Sequence, residues 1–549
     1  PDPSGLIPVA EQDASWTVVV AGAPGDALAL PPEVAESVLT VGDGHFGTRG
    51  VLEEATNAGS VLANGVYDES VEELPVLLAG PGWTGLQLPA SGEGGGLDRR
   101  VLDLRTGLLY RSRDAGRLRT VRFCSLARPG TMALRAEGEL GELAAGPALV
   151  SPSATETETT ADGVHICCTS ASHGGIVAAA VQTEVQDGGR CAVERLAAYL
   201  ADPVAMPAVS RAVYRLRVAE RLGFDELLAE HRAAWARLWD DCQVDVAGDP
   251  ETQLGARYAL FQLLSAVPSS GEAALGARGL SGPGYAGHVF WDADVFVLPT
   301  LAATHPQAAR AMLEYRLRRL EAARRNAAEY GRSGARFPWE SARDGSECTP
   351  GSVVDAKGNV IPVETGELEE HIVADVAWAA WQYICWTGDT EFRDGPGRPL
   401  ITEAARYWAS RVEPDEAGRC HIRNVIGPDE YHEGVDDNAY TNIMARWNLR
   451  LAASLVDSDG IDGTEREVAR WRRIAAALVD TYDPVTGRYE QYAGFEQLRP
   501  FMVSQVLELP AAADTELGRH VTLVSQIVKQ ADVLMLHLMV PDEVAAGSL

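Results

Sequence analysis

The chain has 549 residues, which at roughly 100–200 residues per domain predicts two to four domains. Apolar residues make up 46% and charged residues 23%, proportions that exclude a disordered, collagenous or disulfide-dense chain. The 47 basic and 78 acidic residues leave a formal charge of −31, a surface that repels nucleic acid and anionic lipid, and no apolar run approaches the roughly 18–20 residues of a membrane-spanning helix.

Only Lys357 and Lys529 among the basic residues are lysines. With so much Ala and Gly this reads as a genome-wide composition bias, and it makes each lysine position worth inspecting. The eight cysteines form no C-x-x-C pair, so free thiols in a reducing compartment are expected and a structural zinc site is not. No basic residue precedes Arg49, so no signal peptide is visible and a cytoplasmic location is expected.

Taken in chain order, residues 1–215 read as β structure. Short apolar runs such as Trp16–Val20, Ser37–Val41 and Gly175–Ala178 alternate with Gly, Pro, Asp and Ser clusters. Thr120-Val121-Arg122-Phe123 alternates polar and apolar, as a half-buried strand should. Many short strands with few helical patterns between them predict a sandwich. Ser151 to Thr160 reads as a polar loop. Near residue 220 the texture changes: Asp225 is placed to cap a helix with Leu227, Leu228, Ala234, Trp235, Leu238 and Trp239 at helical spacing. Residues 216–249 then read as a helical linker. From 250 to 549 helical periodicity dominates, with candidates at 252–267, 306–330, 370–387, 400–411, 438–457, 464–480 and 519–540. No strand alternates regularly with them, which excludes a parallel α/β sheet and fits a toroid of helical hairpins whose end loops build a site.

Gly42-Asp43-Gly44-His45-Phe46-Gly47 matches G-x-G-x-x-G, but Gly50 weakens any helix after it, so a tight turn is expected and a dinucleotide site is not. The segment Gly427-Pro428-Asp429-Glu430-Tyr431-His432-Glu433 packs three carboxylates, a phenol and an imidazole into seven residues. Asp436 stands where the second His of H-E-x-x-H would be, which removes a metal reading. Capping and solvation, with Asp436 or Asp437 capping the helix from Asn438, remain open beside general acid–base work. Crowded carboxylates raise one another's pKa, as proton donation to a glycosidic oxygen requires. Two further clusters, His288–Asp294 and Phe337–Ser341, each set a Trp beside a carboxylate (Trp291-Asp292 and Trp339-Glu340). An indole stacks on a sugar face and a carboxylate takes vicinal hydroxyls; the plainer reading is a core Trp with a surface neighbour. Lys529-Gln530-Ala531-Asp532 reads as part of a largely apolar helix from Val521 to Val540. There the lysine is either buried and paired or snorkels to solvent.

Together Gly287–Asp292, Phe337–Ser341, Ile426–Glu433 and Lys529–Asp532 resemble the signature set of glycoside hydrolase family 65. Asp437–Asn442 and Gly44–Gly50 extend the resemblance over most of the chain. It implies a multidomain β + α fold: an N-terminal β-sandwich, a helical linker and an (α/α)6 barrel, incomplete here at its C-terminal end. It implies inverting phosphorolysis of an α-linked glucose disaccharide (trehalose, maltose or kojibiose) to β-glucose 1-phosphate and glucose. An inverting hydrolase of the same α-glucosides and an inactive carbohydrate-binding relative are the alternatives. Glu430 is implied as general acid and Trp291, Asp292, Lys529 and Gln530 as ligands of the glucose whose bond is cut, with Trp339 and Glu340 as further pocket members. No metal or cofactor is implied beyond inorganic phosphate as co-substrate; a disaccharide, a homodimer partner and a companion C-terminal fragment are the implied partners, with no nucleic acid or membrane. The family's phosphate-binding segment, His-x-Ser-Ser-Leu-Ser, does not occur here, so the nucleophile machinery is expected beyond Leu549. Val354 to Thr365 reads as a loop that sets acceptor choice.

Overall fold

The computed structural model describes residues 13–22, 30–55, 59–69, 74–88, 98–113, 116–152, 157–172, 174–202, 205–354, 358–457, 465–507, 509 and 513–545. The chain divides into two compact units, Pro1–Val289 and Phe290–Leu549.

In the first unit, nine strands among the described residues form one antiparallel sheet. Their order is Thr17–Gly22, Asp98–Asp103, Leu108–Arg113, Leu118–Cys124, Thr131–Glu139, Arg190–Asp202, Gly174–Asp187, His165–Ala171 and Thr157–Thr159. A second antiparallel sheet runs Val41–Gly42, Phe46–Thr48, Val61–Asp68, Val76–Gly80. Val61, Leu78, Leu102, Leu134 and Ile176 share a core with Trp235, Trp239 and Phe261, so the two sheets form the expected sandwich. The opposite face of the large sheet (Val121, Phe123, Leu196) buries against Ala212, Leu216, Phe224 and Leu227 of a long helix, Ala205–Cys242.

That helix alters three expectations. It starts before residue 216, so it covers the large sheet as well as leading out of it. Asp225 does not cap: the helix is broken at Gly223 (φ 75°, ψ 170°), so its second stretch does start within two residues of Asp225, but the Asp225 carboxylate accepts from Arg135 Nη1 at 2.8 Å. The Leu118–Cys124 strand is buried on both faces, not one. Val121 and Phe123 meet the helix, while Thr120 Oγ1 (3.0 Å) and Arg122 Nη1 (3.1 Å) donate to Glu53 on the inner side. Burial works to raise the Glu53 pKa, but Arg122 and Arg111 outweigh it and hold the carboxyl at about 2.

Ser37 and Val38 also depart from expectation. They end a short helix, Pro32–Val38, because Pro32 and Glu33 favour a helical first turn; the strand begins only at Val41. The Gly42–Gly47 motif is the expected turn: Asp43 Oδ1 accepts the amides of His45 (2.9 Å) and Phe46 (2.8 Å), and Gly44 takes φ 86°. Within 151–160, Thr157–Thr159 forms an exposed edge strand, while 153–156 lie outside the described residues.

In the second unit, the helices Leu298–Thr304, Ile372–Thr387, Ala439–Asp457 and Asp532–Met539 pack side by side in that order. Pro306–Arg318, Gly397–Arg411 and Glu465–Ala477 form a second row, each against members of the first. This alternation is the helical-hairpin pattern expected of the segment. The candidate at 306–330 is two helices, parted at Arg319. The candidate at 519–540 is not one continuous helix. Only Arg519–Thr522 and Asp532–Met539 are helical, so Lys529 and Gln530 lie on irregular chain. The reason is tertiary: the amides of Gln526 and Lys529 bond the Arg499 carbonyl (2.9 Å) and Asp429 Oδ1 (2.7 Å) instead of closing helical turns. Residues 352–354 and 360–362 form a hairpin; Lys357 lies outside the described residues.

Candidate active site

The acidic loop is closed at its base. Val425 and Val435 exchange both backbone hydrogen bonds at 2.9 Å, and Ile426 N–H donates to the Leu368 carbonyl at 2.9 Å. Within it, Asp429 is 2% exposed and does not face solvent. Its carboxylate accepts Lys529 N–H (2.7 Å) on one oxygen and His432 Nδ1–H (2.6 Å) and Gln491 Nε2–H (2.6 Å) on the other. His432 Nε2–H donates to the Ser525 carbonyl at 2.8 Å. An imidazole that donates from both nitrogens is the imidazolium. Burial works against that charge, but the Asp429 contact prevails and raises the His432 pKa. The imidazole of the loop is therefore a structural tie.

Glu430 is the loop carboxylate that reaches the open side. Lys529 Nζ donates to Glu430 Oε1 at 2.6 Å, with both side chains partly exposed. Asp292 is exposed close by. Lost hydration and the Glu430 charge raise its pKa, while His371 and Lys529 pull it down. A single π turn, Ala293–Val297, follows it, with Leu298 N–H reaching back to the Ala293 carbonyl. Such turns re-aim the residues that precede them.

Trp291 is 1% exposed and sits within an aromatic cluster, not on an open face. Its ring lies 4.9 Å from His371 edge-on, 5.4 Å from Phe296 and 6.5 Å from Trp339. For Trp291 the structure thus fits the plainer core reading. Trp339 joins the cluster through Phe290 at 5.8 Å. The turn that carries it is held by Glu347, whose carboxylate accepts the amides of Trp339 (2.8 Å), Glu340 (3.2 Å) and Thr349 (3.1 Å). Glu340 is half-buried on that turn. Gln530 is half-buried, and its Oε1 is buried without a hydrogen-bond partner.

Sequence reasoning missed Glu369-Glu370-His371. His371 Nδ1–H donates to Asp375 (2.6 Å) and Nε2–H to Glu369 (3.0 Å), with all three side chains fully buried. Tyr440 O–H donates to the other Asp375 oxygen at 2.9 Å. Burial favours neutral His371, but Asp375 and Glu369 together push its pKa up to about 10. Burial raises that of Glu369, and Glu430 and Lys529 both act on it. A signal was present: two carboxylates and an imidazole lead into one of the most apolar helices.

Asp437 is not the cap of the Ala439–Asp457 helix, and neither is Asp436. Asn438 Oδ1 accepts Thr441 N–H (3.0 Å) and Oγ1–H (3.1 Å), so Asn438 is the cap. Asp437 takes φ 52° and turns back to accept His421 Nδ1–H at 2.6 Å. Asp532 is fully buried and accepts Asp429 N–H and Asn438 Nδ2–H, both at 2.8 Å. Burial and the Asp429 charge push its pKa up to about 7.

A sandwich unit, a helical unit, and loops that gather aromatic rings, carboxylates and a lysine define a carbohydrate-active enzyme of the glycoside phosphorylase or hydrolase class. The glycosyl hydrolase family 65 central catalytic domain matches residues 257–548, and the family's N-terminal domain matches residues 31–142. The chain belongs to glycosyl hydrolase family 65. It is 32% identical to a kojibiose phosphorylase of Caldanaerobacter subterraneus subsp. tengcongensis, over 92% of this chain and 77% of that one. It is 42% identical to a kojibiose hydrolase of Flavobacterium johnsoniae, over 44% of this chain and 34% of that one. A solved structure described as "Putative kojibiose phosphorylase from human microbiome" superposes with a TM-score of 0.79 at 20% identity, covering 97% of this chain and 78% of that one.

Proposed function

We propose that the protein cleaves an α-linked glucose disaccharide by inverting phosphorolysis, with Glu430 as general acid. The observation that carries this is the convergence of Glu430, Lys529 and Asp292 from three separate segments. Lys529 engages Oε1 of Glu430, which leaves Oε2 to protonate the departing oxygen. Asp292, Lys529 and Gln530 supply hydrogen-bonding groups to the glucose, and the unpartnered Gln530 Oε1 is available to a hydroxyl. Trp291 and Trp339 form the apolar wall, with Glu340 at its margin. Phosphate attacks the anomeric carbon from the opposite face, inverting it. Relatives named for kojibiose support that disaccharide as the first to test, with maltose and trehalose beside it.

Inverting hydrolysis is the second reading, favoured by the 42% identity to the hydrolase. There a second carboxylate would activate water in place of phosphate. The reading also includes a cytoplasmic homodimer, with the Val354–Thr365 segment setting acceptor choice; no described helix is long and apolar enough to cross a membrane.

The test is product analysis with kojibiose, maltose and trehalose, with and without inorganic phosphate. Phosphate-dependent release of β-glucose 1-phosphate is expected; glucose alone in both buffers selects the hydrolase. Glu430→Gln should lower turnover by about 10²–10⁴-fold while sugar binding persists. Unchanged turnover removes Glu430 from the role, and sugar binding without turnover in the parent chain selects the inactive binder.

A further inference from the structure

The acid loop and the lysine segment are far apart in sequence, yet each grips the other's backbone. Asp532 Oδ1, on the lysine segment, accepts the amide of Asp429 at 2.8 Å. Asp429 Oδ1, on the acid loop, accepts the amide of Lys529 at 2.7 Å. The two gripped amides belong to the residue before Glu430 and to Lys529 itself. Both carboxylates are buried, at 0% and 2% exposure, and each of their oxygens is already held by a protein donor, so neither is offered to a substrate. We propose that Asp532 is a positioning residue, which together with Asp429 locks the acid loop to the lysine segment and so fixes Glu430 against Lys529. This rests on the assignment of Glu430 as the general acid.

The chemistry of the contact requires a carboxylate. Asp532 faces two donors, the Asp429 N–H and the Asn438 side-chain amide, and offers two acceptors. An Asn at 532 has one acceptor, so one donor would confront another. Asn438 cannot turn to relieve this, because its own oxygen caps the Ala439–Asp457 helix at Thr441. Gly427 shows how closely the lock is fitted: a Cβ there would lie 2.4 Å from both Asn438 Nδ2 and Asp532 Oδ2. The remaining oxygen of Asp429 is filled by His432 and Gln491, which hold the loop end of the lock. Burying two acids side by side is costly unless every donor and acceptor is matched, and here each oxygen has a donor.

Asp532→Asn in the full chain tests the proposal in two ways. The first is amide hydrogen exchange, which needs no turnover: uptake should rise at least tenfold in both the 425–435 and 525–532 segments. Unchanged exchange in the 525–532 segment would overturn the lock whatever the enzyme does. The second compares kojibiose with α-glucosyl fluoride, whose leaving group departs without a full proton transfer. A misplaced acid should lower kcat on kojibiose at least tenfold with KM within about twofold, and α-glucosyl fluoride turnover less than threefold. Equal losses on both donors would overturn the positioning role. Parent protein that turns over neither donor would refute the proposed activity, and the exchange result would still judge the lock. Should Asp532→Asn fail to fold, Asn438→Ser keeps a strong helix cap and removes the side-chain amide, which donates to Asp532 at 2.8 Å and, weakly, to the Gln491 carbonyl at 3.4 Å. The same pattern, weaker, is expected, and wild-type exchange and kinetics would overturn the proposal.

Discussion

His231 and His371 are both fully buried, yet their partners leave one neutral and the other charged. His231 Nδ1 accepts Leu126 N–H at 3.1 Å and Nε2–H donates to the Gly107 carbonyl at 3.3 Å, a neutral imidazole. Burial pushes its pKa to about 3. The unfolded chain takes up a proton near pH 6.5, the folded chain only near 3. His231 therefore stabilises the fold above 6.5, and that stability is lost as pH falls, by about 1.4 kcal/mol per unit. His371, held at about 10, works the other way: its contribution is complete below pH 6.5 and fades as pH rises toward 10. Urea unfolding at pH 5 and 7 checks the first. In His231→Gln the loss of stability between pH 7 and 5 should shrink by about 2 kcal/mol. The acidic loop was legible in the sequence because five polar groups crowd behind a Gly-Pro turn. The His371 relay was not, since an imidazole ahead of an apolar helix reads equally well as a helix end. Local composition did not separate Asp429 from Glu430, which only the family resemblance singled out; burial shows that Asp429 is a tie.

At the scale of elements, two glycines carry different burdens. Gly223 breaks the Ala205–Cys242 helix at φ 75° and ψ 170°, a conformation almost confined to glycine, and a Cβ there would meet nothing. Gly223→Ala should therefore cost about 1–3 kcal/mol from backbone strain alone, read as a lower denaturation midpoint with turnover unchanged. Gly427 has an ordinary backbone, but no room. Gly427→Ala should lower turnover of the disaccharide while moving the melting temperature less than Gly223→Ala does, a pair of readouts from the same samples. Periodicity located most helices of the second unit, because apolar stripes at 3.6 spacing are dictated locally. It failed at 519–540, where Val521, Leu523, Val524, Ile527 and Val528 imitate a stripe but distant partners take the amides of Gln526 and Lys529. That failure falls on the segment proposed to hold the sugar, where long-range contacts outrank local propensity.

For the whole molecule, the charge of −31 has a consequence of its own. Self-repulsion of a surface so acidic opposes the folded state, whereas exposed ion pairs add only about 0–1 kcal/mol each. Repulsion should win. Raising ionic strength from about 0.01 to 0.1 M shortens the screening length from about 30 to about 10 Å and should raise the melting temperature. A fall on adding sodium chloride would show instead that ion pairs dominate. The order of a β unit before a helical unit was legible from the change of period near residue 220. The extent of each was not, because the Ala205–Cys242 and Pro250–Ala266 helices pack within the first unit.

The scarcity of lysine turns Lys529 into a chemical handle. Apart from the α-amino group, amine-directed acylation of this chain has two targets, Lys357 and Lys529. Lys529 is reachable, at 44% side-chain exposure, and its ammonium rests on the carboxylate assigned to proton transfer. A bound sugar should shield it, so the ratio of label on the two lysine peptides becomes a direct gauge of site occupancy, independent of whether phosphate or water is the attacking group.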